Sequence, residues 1–209
     1  MTRILIADDH AVLRKGLKQI ILEEYPNAII GEAADADELI KNVRNEKWDL
    51  VICDISMPGR SGLEALKEIK QITPDLPVLI MSVYPEDQYA LRVLKAGASG
   101  YVNKALVQED IVKAIETVRS GRKFITPGVA EKLLGTWETN GQKQPHEILS
   151  EREFDVFLLI ASGKSPASIT ETLSLSATTI STYRKRLLEK MKMKSNSELI
   201  RYALEKKLI

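Results

Sequence analysis

The sequence lacks several features that would place the protein in other classes. Cys53 is the only cysteine in 209 residues, which excludes an internal disulfide and a multi-cysteine zinc site and is typical of a reducing compartment. No charge-free apolar run reaches the roughly 18 residues of a membrane span. Asp8 and Asp9 directly follow the first apolar run, which argues against a secretion signal. We therefore expect a cytoplasmic protein with no membrane association.

The chain also has no excess of charge, because Lys and Arg number 30 and Asp and Glu number 29. This balance excludes a basic nucleic-acid tail and an acidic disordered tail. Residues 1–145 carry 19 basic and 21 acidic side chains, a net charge of −2, whereas residues 146–209 carry 11 and 8, a net charge of +3. Residues 176–194 hold six basic side chains and one acidic one, a net charge of +5, which predicts a local basic patch.

Short apolar runs alternate with amphipathic segments through the first part of the chain. The predicted strands are residues 3–8, 27–33, 49–55, 77–83 and 100–104. The first, third and fourth are almost continuously Val, Ile and Leu, which is typical of strands covered by helices on both faces. The pattern predicts an α/β fold with a doubly wound, five-stranded parallel sheet.

The pattern then changes. Residues 137–147 have no apolar periodicity, which is typical of a linker, and no strand is indicated after them. Four serines mark helix starts there, two of them within predicted capping boxes: Ser150 with Glu153, Ser165, Ser176, and Ser195 with Glu198. We divide the chain into a first domain of residues 1–122, a linker of residues 123–147 and a small all-α domain of residues 148–209.

Polar side chains follow the predicted strands at the edge where a doubly wound sheet binds ligands. They are Asp8, Asp9, Asp54, Ser82 and Lys104. Carboxylates this close repel one another unless a cation lies among them, and hard oxygen ligands with room for water suit Mg²⁺. The set indicates phosphoryl transfer to Asp54 as the nucleophile, with Ser82 and Lys104 holding the transferred oxygens.

Each of these residues alone has an ordinary explanation, because Asp and Ser at strand ends are common turn and cap residues. Five of them at the ends of four strands favour a functional site. Phosphatases of the haloacid-dehalogenase type are an alternative, since they also use an Asp nucleophile and Mg²⁺ on a doubly wound sheet. They need a second Asp two residues after the nucleophile, and Ser56 stands at that position here.

The motifs IADDH, CDISMPGRSGLE, MSVY and AGASGYVNK closely resemble the receiver domain of bacterial two-component response regulators, a flavodoxin-like fold, over essentially all of residues 1–120. The resemblance implies that Asp54 is the phospho-acceptor. It also implies that Asp9, Asp54 and the backbone carbonyl of Ser56 bind the metal, with Asp8 as the acidic partner at that metal site.

The same resemblance implies a switch. Ser82 and Lys104 are the switch pair that contacts the phosphoryl group. Tyr101 is the aromatic switch residue, which turns inward when Ser82 is drawn toward the phosphoryl group. A half-buried strand aromatic is an equal interpretation of Tyr101 from the sequence alone. Ser56 and Tyr84 occupy positions that influence the access of water to the phospho-aspartate in this family, so the core motif does not set the phosphoryl lifetime.

The basic patch falls on a predicted helix that begins after Ser176. Its apolar stripe is expected to pack inward: Ile180, Tyr183, Leu187 and Met191. Its opposite face is polar: Thr178, Ser181, Thr182 and Lys185. A short polar face flanked by cations suits a helix in the major groove of DNA, where hydroxyls and one lysine reach base edges and the cations meet phosphates. A solvated basic face is the alternative.

Residues 148–209 resemble, from end to end, the LuxR-type helix-turn-helix of NarL/FixJ-type response regulators. The resemblance implies base contacts from Ser181, Thr182 and Lys185 and a dimer contact through residues 195–206. The expected DNA-binding residues are Thr178, Thr179, Ser181, Thr182, Arg184, Lys185, Arg186 and Lys190. Ala167, Ser168 and Ser181 stand where the family usually has charged residues, and the lost cations predict a lower affinity.

The two resemblances together predict a phosphorylation-dependent transcription regulator. A sensor histidine kinase would phosphorylate Asp54 with Mg²⁺ as the cofactor, and the protein would bind double-stranded DNA as a homodimer and act with RNA polymerase. Enzyme activity would be confined to its own phosphorylation and dephosphorylation. The alternative is a constitutive DNA-binding protein with a non-signalling receiver, against which the complete set of five site residues argues.

Overall fold

The computed structural model describes residues 2–84, 86–131, 144–173, 175–206 and 208–209. The chain forms two compact units, Met1–Thr139 and Asn140–Ile209, which divide inside the predicted linker. Residues 132–143 of that linker lie outside the described residues. No helix in the described part of the chain is long and apolar enough to cross a membrane.

A parallel five-stranded sheet forms the centre of the first unit, in the order β2-β1-β3-β4-β5. Its strands are β1 (Arg3–Ala7), β2 (Ile29–Ala33), β3 (Leu50–Asp54), β4 (Val78–Ser82) and β5 (Gly100–Asn103). Each lies within its predicted segment, which is longer by one or two residues. The order is that of flavodoxin-like sheets, so the predicted doubly wound α/β fold is confirmed.

One helix follows each strand of this sheet: α1 (Ala11–Glu24), α2 (Ala36–Asn45), α3 (Gly62–Ile72), α4 (Glu86–Lys95) and α5 (Val107–Arg119). A 3₁₀ turn, Lys104–Leu106, precedes α5. Side chains of α1 and α5 pack on one face of the sheet in a single apolar core. Ile52 lies fully buried within that core, so Ile52→Ala would cost about 2–5 kcal/mol of stability.

The segment after α5 contacts the sheet even though it lies within the predicted linker. The N–H of Phe124 donates to the carbonyl of Ser99 at 2.9 Å, and the N–H of Tyr101 donates to the carbonyl of Phe124 at 3.4 Å. Residues 127–131 are helical. The chain therefore stays with the first unit for several residues beyond position 122, and the predicted boundaries remain a proposal.

The second unit is a small bundle of helices: α6 (Glu151–Ala161), α7 (Pro166–Leu173), α8 (Ala177–Met191) and α9 (Asn196–Glu205). A 3₁₀ turn, Pro145–Ile148, precedes them. Phe154, Phe157, Leu187 and Leu199 are fully buried in its core.

The predicted helix starts of this unit are confirmed with one difference. Ser150 and Glu153 form the reciprocal capping box at the start of α6. Ser195 accepts a hydrogen bond from the N–H of Glu198, but the Glu198 carboxylate accepts from the N–H of Lys194 at 2.9 Å instead of from that of Ser195. The second box is thus displaced by one residue, since the N–H of Lys194 takes the place of that of Ser195.

Candidate functional sites

Three carboxylates and a lysine meet at the carboxyl edge of the sheet. Asp8 follows β1 and Asp54 ends β3, and these strands are neighbours, so the two buried carboxylates lie close together. Asp9 lies beside them with its side chain 27% exposed. The Nζ of Lys104, just after β5, lies 2.7 Å from Asp8 Oδ2 and 2.8 Å from Asp54 Oδ2. The strand topology therefore joins residues that are far apart in the sequence.

Burial and ion pairing act against each other in this cluster. Withdrawal from water raises the pKa of the Asp54 carboxyl, and Lys104 opposes that rise without cancelling it. Burial alone would lower the pKa of Lys104, but the carboxylates of Asp54 and Asp8 outweigh it and raise that pKa. A cationic lysine thus contacts a carboxylate that is more basic than a free aspartate, and such a carboxylate is a stronger nucleophile once it is ionised.

The cluster also fits a divalent cation. One potential ligand atom from each of Asp8, Asp9, His10 and Asp54 lies within 4.8 Å of the others. Lys104 offsets one of the three carboxylate charges, which leaves a formal charge of −2 for a cation to neutralise. His10 was not among the site residues predicted from the sequence, although its position directly after two site carboxylates was a usable signal.

Two serines flank the carboxylates. Ser82 ends β4 and is fully buried, and its Oγ accepts a hydrogen bond from the N–H of Tyr84 at 3.1 Å. The N–H of Ser56 donates to Asp54 Oδ1 at 3.2 Å, which holds the loop after β3 against the carboxylate. Gly62 lets α3 begin close to this loop, since a Cβ at that position would lie 1.9 Å from the carbonyl oxygen of Asp54. Metal binding by the Ser56 carbonyl stays a prediction.

Tyr101 already points inward in this structure, and only 2% of it is exposed. Its hydroxyl donates to the carbonyl of Tyr84 at 2.7 Å. Asn103 Nδ2 donates to the same carbonyl at 3.3 Å, a contact that the sequence argument missed. The loop after β4 is therefore held by two side chains of β5, and the half-buried alternative for Tyr101 does not describe this conformation.

An apolar groove of about 450 Å³ lies beside the carboxylates. Two residues of the carboxylate cluster, His10 and Lys104, line it together with apolar side chains of α1 and α5. Val12 and Val83 are 85% and 67% exposed on its walls. Large apolar side chains with this exposure next to a charged site are typical of a surface that contacts another molecule.

In the second unit, α8 separates its two faces as predicted. Ile180, Leu187 and Met191 are buried, and Tyr183 is partly buried. The predicted polar face is exposed: Thr178, Ser181, Thr182 and Lys185. Thr179 is half-buried, and its Oγ1 lies 2.8 Å from Ser176 Oγ at the start of the helix. The exposed face therefore offers three hydroxyls and one ammonium in about two turns of helix.

The cations of α8 differ in their partners. Lys185 Nζ lies 4.0 Å from Glu189 Oε1 at the surface, and Arg184 Nε donates to Asn196 Oδ1 at 2.8 Å. Lys190 Nζ lies 2.6 Å from Glu153 Oε2, a carboxylate that is almost fully buried. Burial favours the neutral acid, but Lys190 and the N–H of Ser150 outweigh it and lower the pKa of Glu153.

Two family models match the chain. Residues 4–116 match the response regulator receiver domain, and residues 147–203 match the LuxR family of bacterial regulatory proteins. The chain belongs to the NarL/FixJ family of response regulators. The receiver match covers the sheet with its carboxylate cluster, and the LuxR match covers the helices from α6 to most of α9.

Several curated members of this family are similar over nearly their whole length. The response regulator GacA of Pseudomonas aeruginosa is 35% identical over 200 residues, which are 95% of this chain and 94% of GacA. The oxygen regulatory protein NreC of Staphylococcus carnosus is 36% identical over 214 residues, 99% of each chain. The response regulator UvrY of Escherichia coli K12 is 33% identical over 98% of this chain and 94% of UvrY.

Solved structures of the response regulator RcsB are similar as well. RcsB of Salmonella enterica serovar Typhimurium, bound to the promoter rprA with the phosphomimetic BeF₃⁻, aligns with a TM-score of 0.59 and 27% identity. That alignment covers 97% of this chain and 98% of RcsB. An RcsB–DNA complex aligns with a TM-score of 0.58 and 28% identity over 96% of each chain.

Membership of this family settles the class of function. The chain is a DNA-binding response regulator of a two-component system and not a classical enzyme. This decides against the phosphatase alternative, which shares the sheet and an Asp nucleophile with receivers but not the helix-turn-helix domain.

Proposed function

We propose that a sensor histidine kinase phosphorylates Asp54 and that phosphorylation controls DNA binding by the second domain. The contact of Lys104 with both Asp54 and Asp8 carries this proposal. It places a fixed positive charge beside the one carboxylate that ends a central, fully buried strand.

We retain domain bounds of 1–122, 123–147 and 148–209, since the matched family regions end at residue 116 and resume at residue 147.

The chemistry is an attack by an Asp54 carboxylate oxygen on the phosphorus of a phosphohistidine. The new P–O bond forms as the P–N bond breaks, and the histidine nitrogen keeps the electron pair. Lys104 then binds a phosphoryl oxygen, and the Ser82 hydroxyl donates to another. Mg²⁺ bound by Asp9, Asp54 and the Ser56 carbonyl, with Asp8 beside it, would supply positive charge for the developing phosphoryl oxygens.

The apolar groove beside the site supports a protein as the phosphoryl donor. Val12 and Val83 are exposed on it, and Lys104 lines it, so a helix of the kinase lying in the groove would bring its phosphohistidine near Asp54. Val83→Asp should therefore slow transfer from the kinase, while labelling by a small acyl phosphate proceeds at the wild-type rate. Equal slowing with both donors would contradict this use of the groove.

The second domain is proposed to bind double-stranded DNA through α8. The exposed residues Thr178, Ser181, Thr182 and Lys185 would meet base edges, and Arg184, Arg186 and Lys190 would lie near phosphates. RcsB structures with promoter DNA, and one of two RcsB dimers on two DNAs, support binding as a homodimer. A single short helix binds weakly, and two linked half-site contacts bind far more tightly.

Three further proposals follow from DNA binding. The protein acts in the cytoplasm, where the DNA of a bacterium lies. It contacts RNA polymerase at regulated promoters, which crosslinking on a promoter fragment would test. Apart from Mg²⁺-dependent phosphorylation and dephosphorylation of its own Asp54, it catalyses no reaction.

Sedimentation of the protein with and without BeF₃⁻ tests the proposed homodimer. Identical masses in both states would contradict dimer formation on phosphorylation.

A further inference from the structure

The proposed phosphorylation chemistry gives no role to His10, although its ring lies among the site carboxylates. His10 Nδ1 lies 2.7 Å from Asp9 Oδ1 and 3.2 Å from Asp8 Oδ1. The backbone N–H of His10 donates to Asp8 Oδ1 at 2.8 Å, which fixes the residue at the mouth of the site. Its side chain is 69% exposed, so a cation arriving from solvent would meet this ring beside the half-covered Asp9.

With its proton on Nδ1, the His10 ring donates hydrogen bonds to the carboxylates over these distances. With the proton on Nε2 instead, the Nδ1 lone pair faces the carboxylates, and the same distances match the edges of a metal coordination shell. Adjacent ligands of an octahedral cation with bonds of about 2.1 Å are about 3.0 Å apart, and opposite ligands are about 4.2 Å apart. The two His10 distances lie on either side of the adjacent-ligand value. All four candidate ligand atoms, from Asp8, Asp9, His10 and Asp54, lie within 4.8 Å of one another, so small shifts bring them within reach of one cation.

The arrangement is also favoured by charge. Lys104 already neutralises part of the negative charge of Asp8 and Asp54, and the formal charge that remains equals that of one divalent cation. A neutral imidazole adds a ligand without changing this balance. Nitrogen ligands favour borderline first-row cations, whereas sites made only of oxygen suit Mg²⁺.

We propose that His10 supplies a nitrogen ligand to the cation of the receiver site. The site then selects a borderline divalent transition metal over Mg²⁺ more strongly than its carboxylates alone would. This inference rests on the proposed phosphorylation site and deepens it by naming the class of cation that the site prefers.

The test uses Mn²⁺, which is paramagnetic and octahedral, on the full-length protein. Pulsed electron paramagnetic resonance of bound Mn²⁺ should show coupling to nitrogen, and this coupling should change when the protein carries ¹⁵N-labelled histidine. The chain has only two histidines, so loss of the coupling in His10→Phe assigns it to His10 and not to His146. Absence of nitrogen coupling in the wild type, or its persistence in His10→Phe, would overturn the proposal.

Affinity gives an independent readout. His10→Phe should weaken Co²⁺ binding by at least about tenfold and should weaken Mg²⁺ binding less, since Co²⁺ gains more from a nitrogen ligand. Equal losses for both ions would show that His10 only positions Asp9. The His10 side chain makes no capping hydrogen bond to α1, so the variant keeps the described helix start. Lys15→Gln, an exposed change one turn along α1, is the matched control and should keep both affinities.

Failure of this proposal is distinct from failure of the proposed function. Phosphoryl labelling in Mg²⁺ of the wild type but not of Asp54→Asn tests the acceptor and needs no nitrogen ligand. Labelling without nitrogen coupling would overturn only the role of His10. Nitrogen coupling without labelling would support His10 as a ligand and contradict Asp54 as the acceptor.

Discussion

Each unit of the protein holds a buried carboxylate paired with a lysine, and the two pairs differ in their electrostatics. Asp54 and Glu153 are each only 2% exposed, so burial alone does not distinguish them. The pKa of Asp54 is raised, whereas that of Glu153 is lowered. Asp54 shares Lys104 with Asp8, while Glu153 has Lys190 and also accepts a hydrogen bond from the N–H of Ser150 at 2.7 Å.

The difference distinguishes a structural group from a reactive one. The donors around Glu153 offset the cost of its burial and join the start of α6 to α8 without any ligand. The cluster around Asp54 keeps an excess of negative charge, so it is stabilised further by a cation or by a change in its own charge. Substitutions at each pair separate these two situations.

The largest effect is expected for Asp54→Asn, which should abolish labelling by a phosphorylated kinase or an acyl phosphate. The amide keeps the shape of the carboxylate but lacks its nucleophilic oxygen. Phosphoryl incorporation measured by mass spectrometry checks this, with the exposed Asp75→Asn as a control that should label normally. Undiminished labelling of Asp54→Asn would move the acceptor elsewhere.

Lys190→Ala should lower the free energy of unfolding of the second unit by about 1–3 kcal/mol, because it leaves the Glu153 carboxylate buried without its lysine. Denaturant unfolding of residues 144–209 followed by hydrogen exchange measures this. The exposed Arg186→Ala is the control: it should change stability by less than about 0.5 kcal/mol but flatten the salt dependence of DNA binding by about one unit. Unchanged stability of Lys190→Ala would contradict the structural role of this ion pair, and an unchanged salt dependence of DNA binding would contradict the proposed phosphate contact of Lys190.

Lys185→Ala should cost about 1–3 kcal/mol of affinity for a selected DNA site and relax base preference, since its ammonium lies on the exposed polar face of α8. Fluorescence titrations with the selected site and with random DNA separate the two effects. Equal losses on both DNAs would show that this face does not read bases.

The smallest effects are expected in the pH dependence of stability, and their signs are opposite. The pKa of Asp54 is higher in the folded protein than in the unfolded chain, where it is about 3.9. The free energy of unfolding therefore falls as the pH rises from the unfolded pKa through the folded pKa, because the folded protein disfavours the ionised carboxylate. Because the folded pKa of Glu153 is lowered, its contribution is present above about 4.3 and is lost as pH falls through the folded value.

In cation-free buffer at neutral pH, Asp54→Asn should therefore stabilise the first unit and Glu153→Gln should destabilise the second. Both differences should shrink in acid. Hydrogen exchange resolved by unit, at neutral and acid pH, is the measurement. Stabilisation of the second unit by Glu153→Gln would contradict the lowered pKa of Glu153. A stabilisation by Asp54→Asn that grows in acid would contradict the raised pKa of Asp54.

Much of the fold and of the carboxylate site could be predicted because local sequence determines them. Continuous apolar runs mark buried strands, and parallel topology brings the residues after those strands to one edge, as it does for Asp8, Asp54 and Lys104. The polar and apolar faces of α8 follow from helical periodicity alone.

The missed features depend on contacts between residues that are distant in sequence. The hydrogen bond of Lys190 to Glu153 was not predicted, because it spans 37 positions. The phosphate contact of Lys190 stays a prediction. Asn103 reaches the carbonyl of Tyr84 across the edge of the sheet, 19 positions away. The direction of the His10 ring depends on how α1 begins, which no periodicity encodes.

Phosphorylation of Asp54 is proposed to control DNA binding by α8. The most direct measurement is the affinity of the full-length protein for one DNA site, selected from random sequence, before and after phosphorylation by an acyl phosphate, with Asp54→Asn treated in the same way. We expect tighter binding only for the phosphorylated wild type, together with a larger sedimenting species. Identical affinity before and after phosphorylation, or an equal gain in Asp54→Asn, would contradict it.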